Sequence, residues 1–202
     1  MKKEIIRYTI CAAAILLLTL PGSLFLKNAR ENLYHWRIDM AGVPEISYRT
    51  YIEDTGWQDW KDAGELAGTV GQGKRTEAIE LKTDCDALSG GVKYRVHVQD
   101  IGWQDWKNAG ETAGTTGRNL RIEAIEIELT GELSEKFNIY YRVHVQDRGW
   151  MGWIGNGGTA GTTGMGSRIE AIQILSTPKS MKNPPKSYKS VTQNEISPYI
   201  GQ

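Results

Sequence analysis

Tyr94, Val96 and Val98 alternate with Arg95, His97 and Gln99, and Tyr141, Val143 and Val145 alternate in the same way with Arg142, His144 and Gln146. A period of two predicts a strand with one buried and one solvated face. An earlier copy opens at Tyr48-Arg49 and puts Tyr51 in the histidine slot. Each of these strands runs into a turn, Asp54-Thr55-Gly56, Asp100-Ile101-Gly102 or Asp147-Arg148-Gly149, where glycine supplies a positive φ. A tryptophan-containing segment and a turn-rich A-G-T-x-G stretch follow. The unit then closes on a second apolar run, Arg121 to Leu129, with Ile125, Ile127 and Leu129 predicted to face inward and Glu126 and Glu128 outward. Short β-branched runs punctuated by glycine predict an all-β fold.

The three copies are residues 48–81, 94–127 and 141–174, and they align without a gap: Trp57 to Trp103 is 46 residues and Trp103 to Trp150 is 47. A unit of that size cannot bury its apolar face alone, so a fixed period implies units that complete one another. Three units are too few for a propeller, and closure removes exposed strand edges. The expectation is therefore three repeats closed around a pseudo-threefold axis, β-trefoil-like, with a β-prism as the alternative.

Features kept in all three copies are candidates for what the unit needs. Glu77, Glu123 and Glu170 share strand parity with the inward isoleucines. A buried carboxylate needs a partner, and Arg75/Arg121/Arg168 and Arg49/Arg95/Arg142 are also kept in triplicate. A repeated structural Arg–Glu pair accounts for them better than acid–base catalysis, which calls for a carboxylate pair in distinct roles.

Six of the seven tryptophans form the pairs Trp57/Trp60, Trp103/Trp106 and Trp150/Trp153. On an extended strand, residues three apart point to opposite faces. Trp57, Trp103 and Trp150, next to the glycine turn, are expected to plug the core. Trp60, Trp106 and Trp153 are expected to stand outside, where a rigid aromatic face stacks on a sugar or anchors an interface. All six are candidate ligand-binding residues. His97 and His144 have no further ligand at metal spacing, so no metal and no cofactor are expected. Thr69, Thr115 and Thr162 follow glycine in turns, where backbone bonding accounts for them.

Charge is balanced overall but uneven: residues 48–175 hold 14 Lys/Arg against 19 Asp/Glu. A mildly acidic domain argues against a nucleic-acid partner. Residues 1–26 combine Lys2, Lys3 and Arg7 with the apolar run Ile10–Leu20, which reads as a signal peptide or an uncleaved membrane anchor and places the rest outside the cytoplasm. Residues 27–47 are a connector, and 176–202, with Pro178, Pro184, Pro185 and Pro198 among Lys and Ser, read as a flexible tail. Cys11 lies in the leader and Cys85 in a connector, so the exported part has no intramolecular disulfide framework.

The assembled frame, Y-R-V-H-V-Q-D-x-G-W-x-x-W continuing through A-G-T-x-G to R-I-E-A-I, resembles the clostridial hydrophobic repeat with a characteristic tryptophan, the ChW repeat, over residues 48–175. The first copy departs from it at Tyr51 and Thr76. The resemblance implies secreted or cell-surface proteins of Gram-positive anaerobes. It also implies a non-catalytic role in attachment, to a polysaccharide or cell-wall glycan or to a protein partner. The expected function is thus an exported carbohydrate-binding module, with a protein–protein interaction or adhesin module as the alternative.

Overall fold

The computed structural model describes residues 43–85 and 88–180. The leader at 1–26 and the hydrophobic helix expected there, most of the connector, and the tail beyond residue 180 lie outside the described residues. Within them the alternating segments are strands. β1 (Glu45–Ile52) pairs antiparallel with β5 (Thr76–Asp84), β6 (Gly91–Val98) with β10 (Ile122–Thr130), and β11 (Phe137–Val145) with β15 (Ile169–Pro178). In β6 the burial alternates without a break, with Tyr94, Val96 and Val98 inside. β15 runs on to Pro178 against Phe137, so residues 176–178, expected as tail, belong to the sheet.

Two-residue strands complete each unit. β2 (Gly56–Trp57) and β3 (Lys61–Asp62) line the second edge of β1. β7 (Gly102–Trp103) and β8 (Lys107–Asn108) do the same for β6, and β12 (Gly149–Trp150) and β13 (Ile154–Gly155) for β11. At the turns entering β2, β7 and β12, the aspartate as well as the glycine takes positive φ: 58°, 60° and 59° at Asp54, Asp100 and Asp147.

The A-G dipeptide does not stay in its own unit. β9 (Ala113–Gly114) of the second unit pairs with Ala78 and Ile79 of the first, and β14 (Ala160–Gly161) of the third pairs with Ala124 and Ile125 of the second. β4 (Ala67–Gly68) of the first pairs with Ala171 and Ile172 of the third. Each unit thus lends a strand to the one before it, and the first lends to the last. The result is three five-stranded sheets linked in a ring. Among the described residues the long strands of successive units do not hydrogen-bond side by side, and the three sheets do not join into a closed barrel.

A second set of bonds follows the same ring. The Tyr94 hydroxyl accepts from the Leu81 N–H of the first unit at 3.1 Å and donates to the Glu111 carbonyl. Tyr141 does the same with Ile127 and Gly158, and Tyr48 with Ile174 and Glu65. These three tyrosines are fully buried at equivalent places in one continuous core with Val96, Val143, Ile125 and Ile172. Each therefore fills the core and satisfies a backbone donor across a unit boundary.

Burial pushes the Tyr94 phenol up to about 12, with the Glu80 and Glu111 charges adding to it against the opposing Leu81 bond. Burial raises Tyr141 further. Because the folded state holds the neutral phenol, its contribution is complete below the ordinary value of about 10 and is lost as pH rises through about 12. The melting temperature is expected to hold to about pH 10 and to fall steeply above it, together with a late phenolate absorbance change. Phenols that all titrate at the ordinary value in the folded protein would contradict this.

The connector between the second and third units forms one helix, α1 (Gly131–Lys136), which buries Leu133 in the core. The Glu132 carboxylate accepts from the Ser89 backbone N–H and hydroxyl at 2.8 and 2.9 Å, and the backbone bond foremost holds it below the usual carboxylate range.

Candidate functional site

The outer face of each long hairpin carries one arginine between two indoles. The Arg49 guanidinium lies 4.7 Å from the Trp57 ring centroid and 4.8 Å from that of Trp60. Arg95 is 4.9 Å from both Trp103 and Trp106, and Arg142 is 4.7 Å from Trp150 and 4.9 Å from Trp153. Such contacts are electrostatic attractions between the cation and the negative faces of the rings. The strand pairing builds them, because Trp57, Trp103 and Trp150 stand directly across from Tyr51, His97 and His144. Those cross-strand rings meet edge to face at centroid distances of 5.6 Å.

The expected split of each tryptophan pair is not what forms. The strand ends at Trp57, Trp103 and Trp150, and the next two residues are not in regular β conformation. Strand parity therefore lapses, and both indoles converge on the same guanidinium. Of the three expected to plug the core only Trp150 is buried, and none of the six joins the central cluster, whose large side chains are the tyrosines. Trp57, Trp60, Trp103, Trp106 and Trp153 are half-buried, and Trp150 is 6 % exposed.

Beneath each sandwich a polar layer holds the arginine. Arg49 Nε donates to Glu80 at 2.8 Å and Arg95 Nε to Glu126 at 2.7 Å. The other oxygens of Glu80 and Glu126 accept from the hydroxyls of Thr112 and Thr159, each belonging to the following unit, at 2.7 Å. Glu126 is consequently buried rather than solvated as its outward position suggested, because the Trp–Arg layer covers that face. In the third unit Gln173 replaces the carboxylate, taking the Arg142 Nε at 2.8 Å and donating to the Gly64 carbonyl.

Beside this layer sits the triplicated carboxylate. Glu77, Glu123 and Glu170 are buried. Each occupies a β-bulge: the register passes from Ile122↔Val98 to Ala124↔His97, skipping Glu123, and the other two copies skip Glu77 and Glu170. The extra residue turns the side chain away from the inward isoleucines. The expected Arg–Glu pair is present, Arg75–Glu77 at 2.9 Å and Arg121–Glu123 and Arg168–Glu170 at 2.8 Å. His97 and His144 approach the second carboxylate oxygen at 3.1 Å, an ion-pair distance without hydrogen-bond alignment. In the first copy, where Tyr51 replaces histidine, the second oxygen of Glu77 has no hydrogen-bond partner.

Glu123→Gln replaces one side of this buried pair and leaves the Arg121 charge poorly matched. It is expected to lower stability by about 1–3 kcal/mol, measured by denaturant unfolding. A midpoint equal to that of the parent would place the Glu123 charge outside the pair.

Further repeated bonds shape the rim. Gln104 behaves as a strand of its own, accepting from Gly114 N–H at 2.7 Å and donating to its carbonyl at 3.3 Å, and Gln58 clamps Gly68 likewise. Met151 stands there in the third unit and packs on the core instead. Thr69, Thr115 and Thr162 bond through their backbone N–H groups to the Glu170, Glu77 and Glu123 backbone carbonyls of a neighbouring unit rather than within a turn, while their hydroxyls have no hydrogen-bond partner. Lys82 lies 4.1 Å from the Trp60 ring and Lys93 4.6 Å from Trp106. The two lysines carry no triplicate signal in the sequence. The sandwiched arginines do carry one, namely a cation kept three times on a strand face beside aromatics.

The arrangement can present aromatic faces and fixed guanidinium donors. The five carboxylates of this layer, Glu77, Glu80, Glu123, Glu126 and Glu170, are each engaged by arginine.

Comparison with curated proteins and with solved structures returns no match. The family model described as clostridial hydrophobic W matches three times, at residues 51–83, 97–131 and 144–177, one match per unit and together just over half of the chain. The chain belongs to the clostridial hydrophobic W family.

Proposed function

We propose that the protein is an exported, non-catalytic binding module that holds a cell-wall or other polysaccharide through its Trp–Arg–Trp sandwiches, its three sheets arranged prism-like about a pseudo-threefold axis. The reading is carried by one observation: six indoles, five of them only half-buried, are fixed in pairs by the arginine between them. A sugar ring binds by laying its C–H face on such a surface, and immobilised aromatics lose little entropy in doing so. Tryptophan and arginine are also the residues of protein hot spots, which keeps a protein-binding module as the second reading.

The test is retention of the full chain on isolated cell walls, native and protease-stripped. Retention that survives stripping is expected, and Trp60→Ala, Trp106→Ala and Trp153→Ala combined should abolish it while a cooperative melting transition persists. Retention lost on stripping would favour the protein-binding reading, and a triple variant that binds as well as the parent would remove the tryptophans from the site.

A further inference from the structure

The three sandwiches are not equivalent. In the first two units the outer indole faces two cations: Arg49 and Lys82 at Trp60, Arg95 and Lys93 at Trp106. In the third unit the positions of Lys82 and Lys93 are held by Leu175 and Tyr140, and among the described residues Arg142 is the one cation over the Trp153 ring. The segment Met151-Gly152-Trp153-Ile154 has no charge where the first copy has Asp59 and Lys61.

The arginine differs as well. Glu80 and Glu126 neutralise Arg49 and Arg95, whereas Gln173 leaves Arg142 with no carboxylate among the described residues. Burial drives the Arg142 pKa below its ordinary value, as expected for a desolvated cation with no carboxylate beside it. A structural account of Gln173 exists: Leu66 replaces the threonine that serves Glu80 and Glu126, and the Gln173 amide finds the Gly64 carbonyl instead. That explains how glutamine is accommodated and leaves the guanidinium charge unmatched.

We propose that the third unit is the principal ligand site and takes a carboxylate-bearing glycan, a sugar ring stacking on Trp153 and the carboxylate meeting the Arg142 guanidinium. The ligand would then supply the group that Glu80 and Glu126 supply internally in the other two units. This rests on the glycan-binding reading above and narrows it to one unit and one ligand chemistry.

The probe is isolated, protease-stripped cell wall, before and after carbodiimide-driven amidation of its carboxylates, which leaves wall phosphates untouched. Amidation is expected to weaken retention of the full chain about tenfold, the scale of one charge-assisted hydrogen bond. Trp153→Ala and Gln173→Glu should each do the same on native wall, while Trp60→Ala and Trp106→Ala should each weaken it less than Trp153→Ala does. Gln173→Glu combined with Leu66→Thr restores the polar layer of the other units and keeps the fold, and it should bind as weakly as Gln173→Glu alone. Retention indifferent to amidation, equal losses at the three tryptophans, or full binding by the Gln173→Glu pair would each overturn the proposal and leave glycan binding standing. Wild-type protein not retained on stripped wall at all would overturn both.

Discussion

A chain lacking residues 141–174 is expected to lose cooperative folding altogether rather than to retain two working units. The deletion removes β14 from Ala124 and Ile125 and leaves β4 without Ala171 and Ile172. It also strips the Ile127 N–H of the Tyr141 hydroxyl and the Tyr48 hydroxyl of the Ile174 N–H, both inside the core. Val143, Ile172 and Ile174 leave the same core cluster. Losing several buried isoleucine, valine and tyrosine side chains costs more than the roughly 5–15 kcal/mol by which domains of this size are stable. Calorimetry and circular dichroism through a thermal ramp provide the check. A sharp two-state transition in the shortened chain would mean that the units fold independently and that the strand exchange is dispensable.

Gly114→Ala is expected to destabilise by about 3–5 kcal/mol, the sum of a backbone penalty and a collision that no side chain can relieve. Gly114 has φ +104°, and a Cβ there would lie 2.3 Å from the Glu77 carbonyl oxygen and 2.8 Å from the Ala78 Cα. The close approach is what lets the A-G strand of one unit dock on the neighbouring sheet. Gly117, three residues on in the same motif, has φ +65° and open space around it, so Gly117→Ala should cost only about 1 kcal/mol for its left-handed backbone. Denaturant midpoints of the two variants decide the matter. Equal shifts would mean that the unit boundary yields, and that contact between units is looser than the strand exchange requires.

The contrast between those two glycines marks where reading the chain succeeds and where it stops. The period-two alternation at Tyr94–Gln99 is local, and the strands, their buried faces and the triplicate Arg–Glu pair follow it. The repeat likewise shows that three units are involved and that they complete one another. Which partner each A-G strand takes is a different matter, since a dipeptide carries no record of whether its backbone pairs at home or next door. Side-chain direction failed wherever the strand was interrupted. The bulge at Glu123 reverses the parity that put it with the isoleucines, and the break after Trp57, Trp103 and Trp150 brings both indoles onto one arginine. Both failures have one cause: period-two reasoning holds only while the ladder is regular.

The sequence by itself therefore determined the all-β class, the three-unit build, the buried faces of the long strands and the family, because these rest on residue type and spacing alone. Only the tertiary structure decided that the units are joined by lending strands around a ring, that arginine is the centre of each aromatic pair, and that the third pair alone lacks an internal carboxylate. The strand exchange and the polar layer depend on residues of different units meeting in space, Glu80 with Thr112, Glu126 with Thr159 and Gln173 with Gly64, and the arginine contacts depend on where the strand breaks within a unit; residue order along the chain carries neither.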